Sequence, residues 1–169
     1  LLKAVPFFEH ENTAAVTTQI YVKDNKGFLN KLQEIEYAMT AWSRKMLEYL
    51  DSVYVTPGPL SLYKKDILKQ IGGFDRDNMT EDIEIAWRIL SKGYDIKMGA
   101  GQTYTGTPEN FKKWWRQRVR WNVGGLQTIS KHMSLFKKKT PSNMKLFIMP
   151  LFLLSYVLSL LALGLLIYL

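Results

Sequence analysis

The sequence predicts an α/β domain, on three observations. Residues 13–22 (TAAVTTQIYV) are rich in β-branched side chains and read as a strand. Apolar residues then recur at three- and four-residue intervals, the spacing of an amphipathic helix. Shorter strand and helix patterns alternate beyond them, as they do where helices pack on a sheet. With 169 residues and 47% hydrophobic content, the chain can bury one core of ordinary size.

Taken in order, the strand at 13–22 is followed by a turn at 24–27. Phe28, Leu32, Ile35, Met39, Trp42, Met46 and Tyr49 form the apolar stripe of a helix reaching about residue 50. Residues 53–56 are a short strand candidate, broken into a loop by Pro57-Gly58-Pro59. A short helix at 65–71 is closed by Gly72-Gly73. A helix at about 80–91 ends at Gly93, and 94–100 is a further strand. Residues 110–133 form a second long amphipathic helix, with Phe111, Trp115, Val119, Val123, Leu126 and Met133 in one stripe. There is no internal repeat and no low-complexity stretch.

Charge divides the chain sharply. Residues 1–91 carry a net −2, residues 92–145 a net +10, and residues 146–169 no charge, for a total of +8. A basic excess usually raises nucleic acid as a partner. Here it stands directly before an uncharged apolar run, which points instead to anionic lipid headgroups or nucleotide substrates. Nucleic acid is not expected. Absence of cysteine excludes disulfides, thiolate catalysis and Cys-based metal sites, and His10 and His132 have no ligand spacing.

The run at 146–169 (LFIMPLFLLSYVLSLLALGLLIYL) is long enough, at about 1.5 Å per residue, for a bilayer core of about 30 Å. It is therefore expected to be a transmembrane helix. Lys137, Lys138, Lys139 and Lys145 before it predict that the preceding domain faces the cytosol. The abrupt beginning and end suggest a piece of a larger, multi-pass membrane protein.

Three clusters carry candidate chemistry. In Thr80-Glu81-Asp82, Asp82 falls in the first turn of a helix, where a charged carboxylate is favoured and can accept a hydroxyl proton. Asn78 and Glu81 equally have the spacing of a capping box, a purely structural use. In Gln117-Arg118-Val119-Arg120-Trp121, residues Gln117, Arg120 and Trp121 share a helix face opposite the apolar stripe. Arginine suits a diphosphate, and tryptophan offers a flat surface for a sugar. A basic interfacial helix without catalytic duty fits the same pattern. The loop from Gly58 to Tyr63, followed by Gly72-Gly73-Phe74-Asp75, lets backbone approach a ligand, and also fits an ordinary surface turn.

The order of these pieces (a glycine-proline loop, GGFD, TED, QxxRW, a basic hinge, an apolar run) resembles the processive family-2 glycosyltransferases, such as cellulose, chitin, hyaluronan and poly-N-acetylglucosamine synthases. The resemblance covers nearly the whole chain. It implies a partial GT-A-like domain at 1–109, an amphipathic interface helix and basic hinge at 110–145, and a transmembrane helix at 146–169. It makes Asp82 the general base. Glu81, Gln117, Arg120, Trp121, Gly58 and Tyr63 become substrate-binding residues, and the reaction inverting transfer from a UDP-sugar to a polysaccharide acceptor. The run MTEDIEIAWRI with QRVRWNVGG is nearest the poly-N-acetylglucosamine synthases.

The resemblance also implies Mg²⁺ or Mn²⁺, held by a DxD motif expected upstream of Leu1. Asp75-Arg76-Asp77 spells that motif in letters only and is not read as the metal site. On this reading the present piece alone is inactive. Glycosyl transfer to a lipid acceptor and a non-enzymatic membrane-anchored binding domain remain the alternatives.

Overall fold

The computed structural model describes residues 2–23, 26–136, 143 and 146–168. Strand β1 (Thr13–Val22) pairs antiparallel with the two-residue strand β2 (Leu62–Tyr63) and parallel with β3 (Asp95–Thr105), so it is the middle strand of three. Its register runs from Thr13 opposite Asp95 to Val22 opposite Thr105, with two irregularities. Ala14, Ala15 and Val16 are buried in succession, the mark of a strand covered on both faces.

Among the described residues five α-helices accompany the sheet: α1 (Phe28–Glu48), α2 (Lys65–Gln70), α3 (Glu81–Ser91), α4 (Phe111–His132) and α5 (Ile148–Tyr168). Helix α3 supplies the largest share of the core, with Ile85, Trp87, Ile89 and Leu90 buried against Ala15, Ile96, Ile129 and Met149. Helix α2 closes as expected. Gly72 and Gly73 take φ of 90° and 71°, a region that suits glycine, and the Gly73 N–H donates to Leu68 O at 2.9 Å. The Asn110 side chain caps α4 by accepting from the Lys113 N–H at 3.0 Å.

The α/β class and the major elements are as the sequence predicts, with four differences. Residues 53–56 are not a strand; Thr56 instead bonds to the start of α3. Strand β2 was not expected, and β3 runs five residues beyond the expected end at Ala100. The fourth difference concerns α1. An amphipathic helix normally lays its apolar stripe on the core, yet Phe28, Ile35, Met39, Trp42, Met46 and Tyr49 are exposed. Its buried positions include Gln33 and Arg44.

The expected transmembrane helix at 146–169 also needs correction. Among the described residues no helix is long and apolar enough to cross a membrane. Helix α5 is found there, but its first turn belongs to the core: Ile148 and Met149 are buried, and Phe152 and Tyr156 pack against the same cluster. Leu151, Leu154, Val157, Leu158, Leu161 and Leu165 are exposed. The expected basic hinge residues Lys137, Lys138, Lys139 and Lys145, part of the turn at 24–27, and Leu169 lie outside the described residues.

Candidate functional site

Asp82 stands at the start of α3, and two other segments are built onto it. Its backbone carbonyl accepts from both the N–H and the Oγ1 of Thr56, at 3.2 and 2.9 Å. That pair ties the chain entering Pro57-Gly58-Pro59 directly to the TED turn. Tyr63 donates its hydroxyl to Thr56 Oγ1 at 2.9 Å, and its ring meets Phe74 edge-on at 5.3 Å. Burial, with the nearby carboxylates Asp82 and Glu81, pushes the Tyr63 phenol up to about 12, so it remains a donor at neutral pH.

The capping box allowed by the sequence does not form. Thr80 is the residue before the helix, and its side chain makes no cap; Asn78 Oδ1 accepts from the Thr80 N–H and hydroxyl instead, at 2.9 and 3.3 Å. The Asp82 carboxylate accepts from the Ile83 N–H at 2.9 Å. Burial pushes the Asp82 carboxyl above the ordinary aspartate value and the Glu81 charge adds to this; the Ile83 hydrogen bond and the Arg120 guanidinium offset only part. A carboxylate with a raised pKa is a stronger base than an exposed one.

Helix α4 crosses the same turn at very close range. A Cβ added at Gly124 would lie 2.3 Å from Thr80 Oγ1, so only glycine admits this approach. Asn78 Nδ2 donates to Thr128 Oγ1 at 3.0 Å, and Gln127 Oε1 accepts from the Met79 N–H at 3.0 Å. One to two turns earlier along α4 lie Trp121, Arg120 and Gln117. They and Asp82, Glu81 and Gly58 line one cavity of about 630 Å³, within the range of small-ligand sites. A second space of about 440 Å³ adjoins it, lined by Gly58, Tyr63, Phe74, Glu81 and Asp82. Gly58, Tyr63, Glu81, Asp82, Gln117, Arg120 and Trp121 thus each border one or both cavities, and Gly58, Glu81 and Asp82 border both, whereas Gly72, Gly73 and Asp75 line neither.

The far wall of the larger cavity explains the inverted α1. Glu36, Tyr37, Thr40 and Arg44, spaced by one, three and four, turn the polar face of α1 inward to line it. Arg44 is 2% exposed, has no acidic partner among the described residues, and burial lowers its guanidinium to about 10. Sequence reasoning missed this wall because the apolar stripe on the opposite side was the stronger signal. The polar spacing from Gln33 through Arg44 was legible as a second stripe.

Behind the site, fully buried Glu84 holds α3, α4 and the 71–75 turn together. It meets Arg88 at 2.7 Å and His132 Nε2 at 3.1 Å, while Arg88 donates to the carbonyls of Ile71 and Gly73. Lys131 reaches Asp75 at 2.6 Å and Glu84 at 3.3 Å. Asp75 is thus engaged in this brace. For a divalent cation the donor set does not fit: among the described residues no three Asp, Glu, His or Cys side chains converge on one point.

Comparison with known proteins bears on the whole chain. The family described as Glycosyl transferase family group 2 matches residues 1–169. Poly-beta-1,6-N-acetyl-D-glucosamine synthase of Staphylococcus aureus (strain COL) is 33% identical over 125 residues, covering 72% of this chain and 30% of that protein. The protein of the same name from Staphylococcus epidermidis is 32% identical over 125 residues, covering 73% and 30%. The chain thus spans under a third of the length of the curated relatives it matches.

Proposed function

Because this chain belongs to glycosyl transferase family group 2, we propose that Asp82, Arg120 and Trp121 are the working face of an inverting sugar-transfer site. The observation that carries the reading is their convergence, with Gly58 and Glu81, on one cavity. Asp82 takes the proton of an acceptor hydroxyl. The freed oxygen attacks the anomeric carbon of a UDP-sugar, and the bond to the diphosphate breaks on the opposite side. The electron pair leaves with UDP, and Arg120 stabilises the charge that grows there. Trp121 and Gln117 bind the acceptor end, and Tyr63 holds the Gly58 loop against it. Its relatives' names make N-acetylglucosamine the sugar to try first, with a growing polysaccharide as acceptor.

The membrane setting and the division at residues 109 and 145 belong to the same proposal. Exposed apolar side chains along α4 and α5 support a bilayer as neighbour, with the cavity on the cytosolic side. No step above is routed through a metal ion. The wall contributed by Phe152 and Tyr156 of α5 also favours a second reading, in which the acceptor carries a lipid.

The test is UDP release by the full-length protein in membranes, with Mg²⁺ or Mn²⁺ and a panel of UDP-sugars, beside Asp82→Asn. Release with one sugar, abolished in the variant, is expected. Solvent extraction of the labelled product separates polymer from lipid acceptor. Unchanged release from Asp82→Asn would remove Asp82 from the role of base.

A further inference from the structure

Arg118 stands between Gln117 and Arg120 and has no part in the reaction described above. Its guanidinium lies 4.3 Å from the ring centre of Trp114 and 4.8 Å from that of Trp121. Nη1 donates to Gln117 Oε1 at 2.7 Å, and Nη2 donates to Glu36 of α1, 82 residues earlier. The Arg118 side chain is only 13% exposed, and burial lowers its guanidinium to about 10, which leaves it charged at neutral pH. One buried cation thus touches two of the three substrate-facing side chains of α4 and ties both to the opposite wall of the cavity.

We propose that Arg118 is a positioning residue of the transfer site, fixing the orientations of Gln117 and Trp121 through its contacts with both and its ion pair to Glu36. Resting on the transferase reading above, this assigns each contact a consequence. Arginine only donates, so Gln117 must turn its oxygen toward Arg118 and offers its NH₂ end to whatever enters the cavity. A guanidinium over one face of the Trp121 indole leaves the opposite face to meet a sugar. Glu36 sets how far Arg118 reaches, and α1 thereby governs the geometry of a motif on α4.

The experiment uses the full-length protein in lipid nanodiscs, labelled with 5-fluorotryptophan, the Trp121 resonance being assigned by Trp121→Phe. Arg118→Lys keeps the charge and loses the fork; Glu36→Gln keeps Arg118 and removes its anchor. In both, the Trp121 fluorine resonance is expected to shift or broaden while the signal of the core Trp87 stays in place. The kcat for UDP release should fall about 100-fold in Arg118→Lys, the scale of a small misplacement of a reacting group, with donor KM nearly unchanged. The swap Glu36→Arg/Arg118→Glu is expected to recover part of the kcat lost in Arg118→Glu alone.

A merely structural ion pair would lower the melting temperature and leave both the Trp121 resonance and kcat per folded molecule as they were; that result overturns the proposal. If the parent protein releases UDP from no sugar, the transferase reading fails, and the fluorine signal still decides whether Arg118 orients Trp121.

Discussion

At the scale of single residues, the site depends on a carboxylate kept in an unfavourable place. Asp82 is pushed above the ordinary value near 3.8, so the folded chain holds that proton more tightly than the unfolded chain does. Ionising it then opposes folding. The penalty is absent below the unfolded value and grows as pH rises through the folded value. Asp82→Asn is therefore expected to melt at the same temperature as the parent or higher at pH 7, with the difference shrinking as pH falls toward about 3.8. Thermal melts across that range check it, and a variant that melts well below the parent at pH 7 would contradict the burial described. The same shift predicts that the acid limb of UDP release lies above the ordinary aspartate range. Asp82 stood out in the sequence through the order of the motifs, because a carboxylate in the first turn of a helix suits capping as well as proton transfer. Arg118 did not, since spacing shows which residues share a helix face and is silent on a contact made 82 residues away.

Among the elements, the crossing of α4 over the start of α3 decides whether the two motifs meet. Gly124→Ala would place a methyl group 2.3 Å from Thr80 Oγ1, so α4 must lift away from Asp82. The expected cost is about 1–3 kcal/mol, typical of overpacking. UDP release should fall by more than the lost folded fraction accounts for, because Gln117, Arg120 and Trp121 ride on the same helix. Thr80→Ala in the Gly124→Ala background should restore part of both, as read by melting and by UDP release. Periodicity located α1, α3 and α4 to within a residue or two, since a 3.6-residue repeat is a local property. It could not say which face of α1 turns inward. That depends on what the helix packs against, and here Tyr37, Thr40 and Arg44 face the larger cavity. The short β2 was beyond reach for a similar reason: two residues, Leu62 and Tyr63, become a strand only because Ala15 and Val16 lie beside them.

For the molecule as a whole, large apolar side chains are exposed on three of the helices. Phe28, Trp42 and Tyr49 on α1, Phe111 and Trp115 on α4, and Leu158 and Leu165 on α5 are all exposed. Placed in vesicles containing brominated lipid, the protein is expected to lose tryptophan fluorescence, and Trp115→Phe to remove a share of that quenching. Fluorescence indifferent to brominated lipid would show that these side chains face something other than acyl chains. The uncharged run at 146–169 was legible in the sequence, but not that α5 would give its first turn to the core. One further consequence follows from the parallel pairing of β1 with β3. Thr13 must wait for Asp95, 82 residues later, before it gains its partner. At a translation rate of about 5–20 residues per second, this interval lasts roughly 4–16 s. For roughly the second half of it α1 is already made while β3 is not, so a newly made chain needs shelter well before it has a site to protect.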